Sequence, residues 1–417
     1  MRRTALRSTA AVSALLAVVV LLHAARRPRY GGELRIETRA TFAEIEEAPE
    51  QIFGEVFETL VRLDERGDPQ PWLAVSWSHD VSRKRWVFTP RANVMLHNGA
   101  VWSPDGGTIS APDDTPIEII LRDFARPHMA VRVPLPDGTL AGTGPFRVTR
   151  LEPGKSIHLT AHDTYWRGRP YLDSIQITLG RGPKDQSQDF DVGKTDVAEL
   201  PVTDIRRLKQ RGTAVAITPP METLALLFEG ERASAGVRES VALAIDRGAI
   251  HNVLLQRQGE ASAALLPRWL SGYSFVFPSE RNVARAKQLA SGSPALAFAY
   301  DSQDAVVRAI AERIAVNASE AGITLRTTTT PAADVRLVRL AVTSRDPWVA
   351  LSDISIQLKR TTVLSPPRGA YETETALLDG FRVVPIVHLP RAWALGPRVR
   401  DWGRLEDVWL DAGDRVP

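Results

Sequence analysis

The stretch GTGPFRVTRLEPGKSIHLTAHDTYWRGRPYLD (residues 142–173) decides the fold. Gly142 and Gly144 let the backbone pass where a side chain would obstruct it, and Pro145 fixes φ ahead of a strand. Phe146, Arg147 and Val148 alternate apolar and polar, as a half-buried strand does. Glu152-Pro153-Gly154-Lys155 has turn chemistry, with Pro setting one central residue and Gly relieving the next. Ile157 and Leu159 resume the alternation on a second strand. Tyr165, Trp166 and Tyr171 then fall in a segment too rich in Gly and Pro for a helix. The residues alone predict a β-hairpin plugged by an aromatic loop.

Outward from this stretch, the chain is large and ordinary in composition. Its 417 residues exceed one typical domain, and 44% hydrophobic with 24% charged residues is the balance of a globular protein. There is no cysteine, which excludes disulfides, thiolate metal sites, cysteine nucleophiles and a lipid-modified cysteine. Six arginines and no acidic residue lie in residues 1–29; without them, 46 basic residues face 49 acidic ones. The body is thus close to neutral and lacks the basic face that nucleic acid requires. Arg2, Arg3 and Arg7 precede an apolar run over residues 10–25, the pattern of an export signal. That run would make a helix of about 24 Å, short of the roughly 30 Å hydrocarbon core. Residues 1–25 are therefore expected to be a signal peptide or a membrane anchor, the anchor lying within 8–25. Either places the body outside the cytoplasm.

Further strings carry the same kind of information. GGELRI (31–36) opens the body as an alternating strand. FETLVRLDERGDPQPWLAVSWSHD (57–80) and RANVMLHNG (91–99) follow, then AGVRESVALAIDR (235–247), VVPIVHL (383–389) and ALGPRVRDW (394–402). Together with GTGPF and YWRGRPYLD, they resemble the extracytoplasmic solute-binding proteins of peptide/nickel ABC transporters, solute-binding family 5. That family carries G-T-G-P-Y/F, a P-G turn, Y-W-x-G-x-P-Y-L-D and a helix V-R-x-A-x-x-x-A-I-D-R. Asn93 and Asn98 replace a Gly and an Asp of its pattern. Between 100 and 141 the sequence departs most: turn residues dominate, 117–121 reads as a short strand, and no large helix is expected.

The resemblance implies an α/β fold of the periplasmic-binding-protein type II kind. It has two lobes made of discontinuous domains, with a reduced peripheral domain. The expected boundaries are 30–43, 141–228 and 381–417 for the main domain of lobe 1, 44–140 for the peripheral domain, and 229–380 for lobe 2. It also implies a monomer that binds a peptide or similar small solute between the lobes and passes it to an ABC permease. The loop 38–42 would border the cleft, placing Thr41 and Phe42 there. Trp269, Tyr273 and Trp348 would supply aromatic contacts. Asp346, in the string Arg345-Asp346-Pro347-Trp348, would capture a peptide amine.

The residues themselves point to no catalysis, metal or cofactor. No nucleophile elbow, phosphate loop or dinucleotide fingerprint is present. His97, between apolar residues and an Asn-Gly turn, reads as a structural hydrogen-bonder, and His158 and His162 lie on strand-like sequence rather than a zinc-binding helix. Arg206, Arg207, Lys209 and Arg211 read as a solvated face, and Asp246-Arg247 as helix-end electrostatics. A second reading stays open: the trimmed peripheral segment and blurred ligand segment suit a non-transport descendant, anchored or secreted, acting as a sensor or interaction module.

Overall fold

The computed structural model describes residues 28–411, apart from 65–66, 105–106, 291, 329–331 and 360–368. The leader expectation for residues 1–25 lies outside the described residues. Among these, no helix is long and apolar enough to cross a membrane.

The opening stretch folds as its alternation requires. Phe146–Glu152 and Ser156–Ala161 pair antiparallel, and Ser156–Ala161 pairs in turn with Ser174–Thr178. Phe146, Ile157, Leu159, Ile175 and Ile177 are buried on one face, in the core of the first lobe. Glu33–Glu37 runs parallel to Ser174–Thr178 on one side and to Val197–Leu200 on the other. Gly142 and Gly144 cross the backbone of 55–56 so closely that a Cβ at either would overlap the Val56 or Glu55 carbonyl. Gly144 N donates to Val56 O (3.1 Å) and Phe146 N to Glu55 O (2.9 Å) across this crossing.

Two long antiparallel strands, Ala214–Phe228 and Val383–Leu395, run through both lobes. In the first lobe, Ala214 to Ile217 face Leu395 to Ala392, which also pair with Val197–Leu200. In the second, Glu222 to Leu227 pair with 383–389, and Glu222 to Phe228 with Val335–Ala341. The register slips between Ile217 and Glu222, where Pro219 and Pro220 lie opposite Pro390. Proline cannot donate to a ladder, so the strands loosen there, at the junction of the lobes. The first-lobe pairing of the two strands stops at Ile217 and Ala392, and pairing with Val335–Ala341 starts at Glu222. A continuous strand carries its register across a lobe boundary that sequence islands cannot mark.

In the second lobe Leu296–Ala299 lies parallel to Leu325–Thr327 across the helix Ala305–Glu320, a parallel strand–helix–strand unit. Leu224, Leu226 and Phe228 face the helices Ala235–Ala244 and Ala305–Glu320. Ala225 and Leu227 face Pro347–Gln357 and Ala370–Leu378. The period of two sends alternate side chains to opposite, helix-covered faces.

The peripheral segment has its own core around Leu73, Phe88, Val94, Leu121 and Phe124. Here the structure corrects the sequence reading: residues 117–124 are an α-helix, Ile117–Phe124, not a strand. Ile117, Ile120, Leu121 and Phe124 stand at i, i+3, i+4 and i+7, a helical stripe, and Pro116 occupies the N-cap position.

Candidate functional site

The carboxyl ends of the parallel strands Glu33–Glu37 and Val197–Leu200 open toward the second lobe, where α/β sheets present ligand crevices. Glu199 is buried at one of these ends. Its carboxylate accepts from Thr38 Oγ1, the Arg39 backbone N–H and Arg39 Nη2, each at 2.9 Å. Burial pushes the Glu199 carboxyl up, but Arg39 overcomes this and holds it at about 2.

Arg39 reaches across to the second lobe, where Nη1 donates to Asp304 Oδ2 (3.1 Å). Asp304 caps the helix Ala305–Glu320, accepting from Val306 N (2.9 Å) and Val307 N (3.1 Å) through Oδ1. Its Oδ2 also takes Arg339 Nη2 (2.7 Å). Arg339 continues to Glu222, and Glu222 Oε1 accepts Arg391 Nε (3.1 Å). Arg391 in turn touches Gln51 Oε1 (3.4 Å) of the first lobe.

The result is an alternating chain, Glu199–Arg39–Asp304–Arg339–Glu222–Arg391, that spans the cleft beside the proline hinge. The free space it leaves is about 10 Å³, room for one water molecule at most. A wider depression of about 510 Å³ by Arg206, Arg207 and Gln256 lies open to solvent outside the cleft.

A second set of contacts closes the cleft mouth. Arg122 and Arg126, on and just after the helix Ile117–Phe124, pair with Asp346 and Asp353. Thr343 Oγ1 also donates to Asp353 (2.5 Å). Gly67 packs on the Arg345 carbonyl, where a Cβ would not fit.

The structure scatters the residues expected at the site. Thr41 is exposed beside Gly180. Phe42 is 4% exposed and belongs to the core of the first lobe, so it offers the cleft no surface. Trp269 lies at the hinge, its Nε1 donating to Pro220 O (2.8 Å). Tyr273 is on another face of the second lobe, where its hydroxyl donates to Glu374 Oε2 (2.6 Å) and its ring meets Tyr371 edge-on. Arg345, Asp346 and Trp348 do come together, at the mouth. Asp346 caps the helix Pro347–Gln357 through Trp348 N (3.0 Å) and Val349 N (2.9 Å) while holding Arg122, so its acceptors are already in use. Trp348 Nε1 is buried with no acceptor among the described residues.

Two histidines prove structural. His97 Nε2 and His162 Nδ1 both approach the Gly144 carbonyl (3.1 and 3.0 Å), and the rings meet edge to face. Among the described residues, no three His, Asp or Glu side chains are grouped as metal ligands. The sequence reading passed over all six members of the charged chain. Glu222 and Arg391 could have been noticed as charges inside otherwise apolar strands. Arg39 and Glu199 could have been noticed at the carboxyl ends of two strands.

Comparison with known proteins gives consistent results. The family model for bacterial extracellular solute-binding proteins, family 5 (middle), matches residues 108–357, more than half of the chain. The nickel-binding periplasmic protein of Escherichia coli is 23% identical over 295 residues, covering 58% of this chain and 56% of that protein. The peptide transport periplasmic protein SapA of Salmonella typhimurium is 28% identical over 142 residues, covering 33% of this chain and 26% of that protein. The chain thus spans about half the length of the first of these curated relatives and about a quarter of the second. Among solved structures, the oligopeptide-binding protein AppA from Bacillus subtilis, in complex with a nonapeptide, superposes with a TM-score of 0.75. Its identity is 15%, with 92% of this chain and 100% of that chain covered. NikA from Staphylococcus aureus in complex with Ni(L-His)2 gives 0.73 at 15% identity, with 91% and 98% covered. At such identities the likeness establishes the fold.

Proposed function

The chain belongs to the bacterial extracellular solute-binding proteins of family 5, and from that premise we propose that it binds a peptide-like solute between its lobes and delivers it to the permease of an ABC transporter. The fold is accordingly the type II periplasmic-binding-protein architecture. The relatives named above are binding proteins. The observation that carries the proposal is the cleft itself: two lobes joined by two long strands that loosen at Pro219, Pro220 and Pro390, with charged side chains converging from both sides. Such a hinge lets the lobes close on a solute and present a changed surface to a partner.

The same reading assigns residues 44–140 to a reduced peripheral domain, supported by its separate core. It places the body outside the cytoplasm, with residues 1–25 as a signal peptide or an anchor lying within 8–25. Of the expected contacts, Trp269 at the hinge and Trp348 at the mouth stay closest to a solute path. Asp346 would reach a ligand only after releasing Arg122.

The shut cleft favours a second reading, a descendant of the family whose lobes are held together by their own side chains and which serves as a sensor or interaction module. A thermal-shift screen of the full chain against a peptide library and nickel–histidine complexes separates the two. A ligand held by the native state adds RT ln(1 + [L]/Kd) to its stability, about 2.7 kcal/mol at a hundredfold excess over Kd, and so raises the melting midpoint. A rise of a few degrees with one peptide class is expected. No shift with any member of the screen would favour the second reading.

A further inference from the structure

We propose that the solute is an amino-acid-sized zwitterion, seated beside the hinge by exchanging with the Arg39–Asp304 ion pair, with Asp304 accepting its ammonium group and Arg39 its carboxylate. This rests on the solute-binding reading above and names the substrate class for that cleft.

The charge arithmetic of the cleft carries the inference. Arg39, Arg339 and Arg391 face Glu199, Glu222 and Asp304, and each charge has an opposite partner. An uncharged solute that parted Arg39 from Asp304 would leave groups on both sides of the cleft desolvated and short of a partner. A simple anion would satisfy Arg39 but leave Asp304 with Arg339 alone and facing a like charge, and a simple cation would leave Arg39 with Glu199 alone and facing a like charge. A molecule with both charges replaces the broken pair one for one and leaves the site neutral.

The arginine is also incompletely used. Arg39 Nε is buried and meets no acceptor among the described residues. Nε shares an edge with Nη2, which Glu199 holds, so the donor that a solute carboxylate takes over is Nη1, the one that Asp304 gives up. On the other side, Asp304 Oδ1 is committed to the helix cap, whereas Oδ2 holds only the two arginines. Oδ2 is the acceptor an ammonium group would share.

Size follows from what must break. The space between the charges is water-sized, so the lobes must part to admit any solute, and only a small one lets the pairs at the mouth re-form once it is seated. An extended peptide would have to run out past Arg122–Asp346 and Arg126–Asp353 at the mouth as well. The carboxylate expected to capture a peptide amine, Asp346, is engaged by two backbone N–H groups and Arg122.

The test uses the full chain, with thermal shift to screen and titration calorimetry to measure. The probes are the twenty amino acids and glycylglycine, each beside its N-acetylated and C-amidated forms, and a pool of nonapeptides. The expected result is binding of at least one free zwitterion, weakened tenfold or more by blocking either end. Asp304→Asn keeps the cap oxygen for Val306 and Val307 and removes the charge. With an unchanged circular dichroism spectrum, it is expected to lose at least tenfold in affinity. Blocked forms or nonapeptides binding as tightly as free zwitterions, or an unaltered affinity in Asp304→Asn, would overturn the inference and leave solute binding standing. No binding by any probe would overturn the inference, and the solute-binding reading with it where the peptide library and nickel–histidine complexes are silent as well.

Discussion

Arg247 carries its charge into the interior of the second lobe, only 4% exposed. Its donors go to backbone carbonyls: Nε to Ser262 O (2.9 Å) and Pro385 O (3.1 Å), Nη1 to Ala242 O (3.1 Å), Nη2 to Pro385 O (3.0 Å). Burial pulls its pKa down to about 10. The side chain thus ties the loop around Ser262 and the strand Val383–Leu395 to the helix Ala235–Ala244, a far more specific role than helix-end electrostatics. Arg247→Met leaves those carbonyls unpaired and is expected to destabilise the protein by about 3 kcal/mol or more in urea unfolding. A loss under about 1 kcal/mol would refute that role. His97 and His388 give a second residue-scale expectation. Burial holds both imidazoles down at about 4. The unfolded chain therefore takes up these protons first, and the stability they contribute is lost as pH falls from about 6.5 toward 4. Glu55 and Glu374, pushed up to about 7 by burial, act the other way. They lose stability for the fold as pH rises from about 4.5 to 7, because the folded state keeps protons that the unfolded state releases. Whole-protein curves would mix these effects, so NMR titration of the single imidazoles is the measurement. Resonances of His97 and His388 that move near pH 4 are expected, and movement near 6.5 would contradict the burial argument.

At the scale of elements, the crossing of 142–144 over 55–56 leaves no room for a Cβ at either glycine. Gly144→Ala would drive a Cβ into the Glu55 carbonyl, and Gly142→Ala into that of Val56. Backbone must shift in either case, so each is expected to lower stability by about 3 kcal/mol, the upper range for overpacking. Urea midpoints unchanged by both substitutions would show that the crossing is loose. The hairpin beside it was legible because its signals are local: alternation, a Pro-Gly turn and a Gly/Pro-rich loop all lie within 142–173. The helix Ile117–Phe124 was not, because its eight residues also read as a short apolar run, and the apolar spacing decides only once the face it covers is known. The charged chain was hidden for a different reason. Arg39 meets Asp304 across 265 positions of sequence, a distance at which neither propensity nor periodicity carries information. Phe42 shows the converse, since its position in a cleft-bordering loop followed from resemblance while its burial followed from packing.

Taken whole, the molecule is two lobes held shut by ion pairs that bridge the cleft at its hinge and at its mouth. Family and fold were visible in the sequence islands because those islands carry local signals, tight turns, alternating strands and the helix Ala235–Ala244. The charged chain across the cleft was not, because it is assembled from single charges on separate strands and a helix cap. Partly exposed ion pairs weaken with salt. Raising salt to about 1 M, where the screening length is about 3 Å, is therefore expected to open the lobes and enlarge the radius of gyration in X-ray scattering. Equal radii at low and high salt would show that the lobes are fused by their apolar contacts.

The chain has no cysteine, so spin labels can be placed at will, one on exposed Lys155 in the first lobe and one on exposed Val316 in the second. The Lys155→Cys, Val316→Cys pair, read by pulsed electron resonance, measures the interlobe distance directly. A narrow distribution is expected at low salt, a longer and broader one in the Asp304→Asn background, and a return to the narrow one in the unaltered cleft at high salt when a bound solute is added. A single distance that ignores salt, substitution and every solute would contradict the account of a hinged, solute-binding cleft.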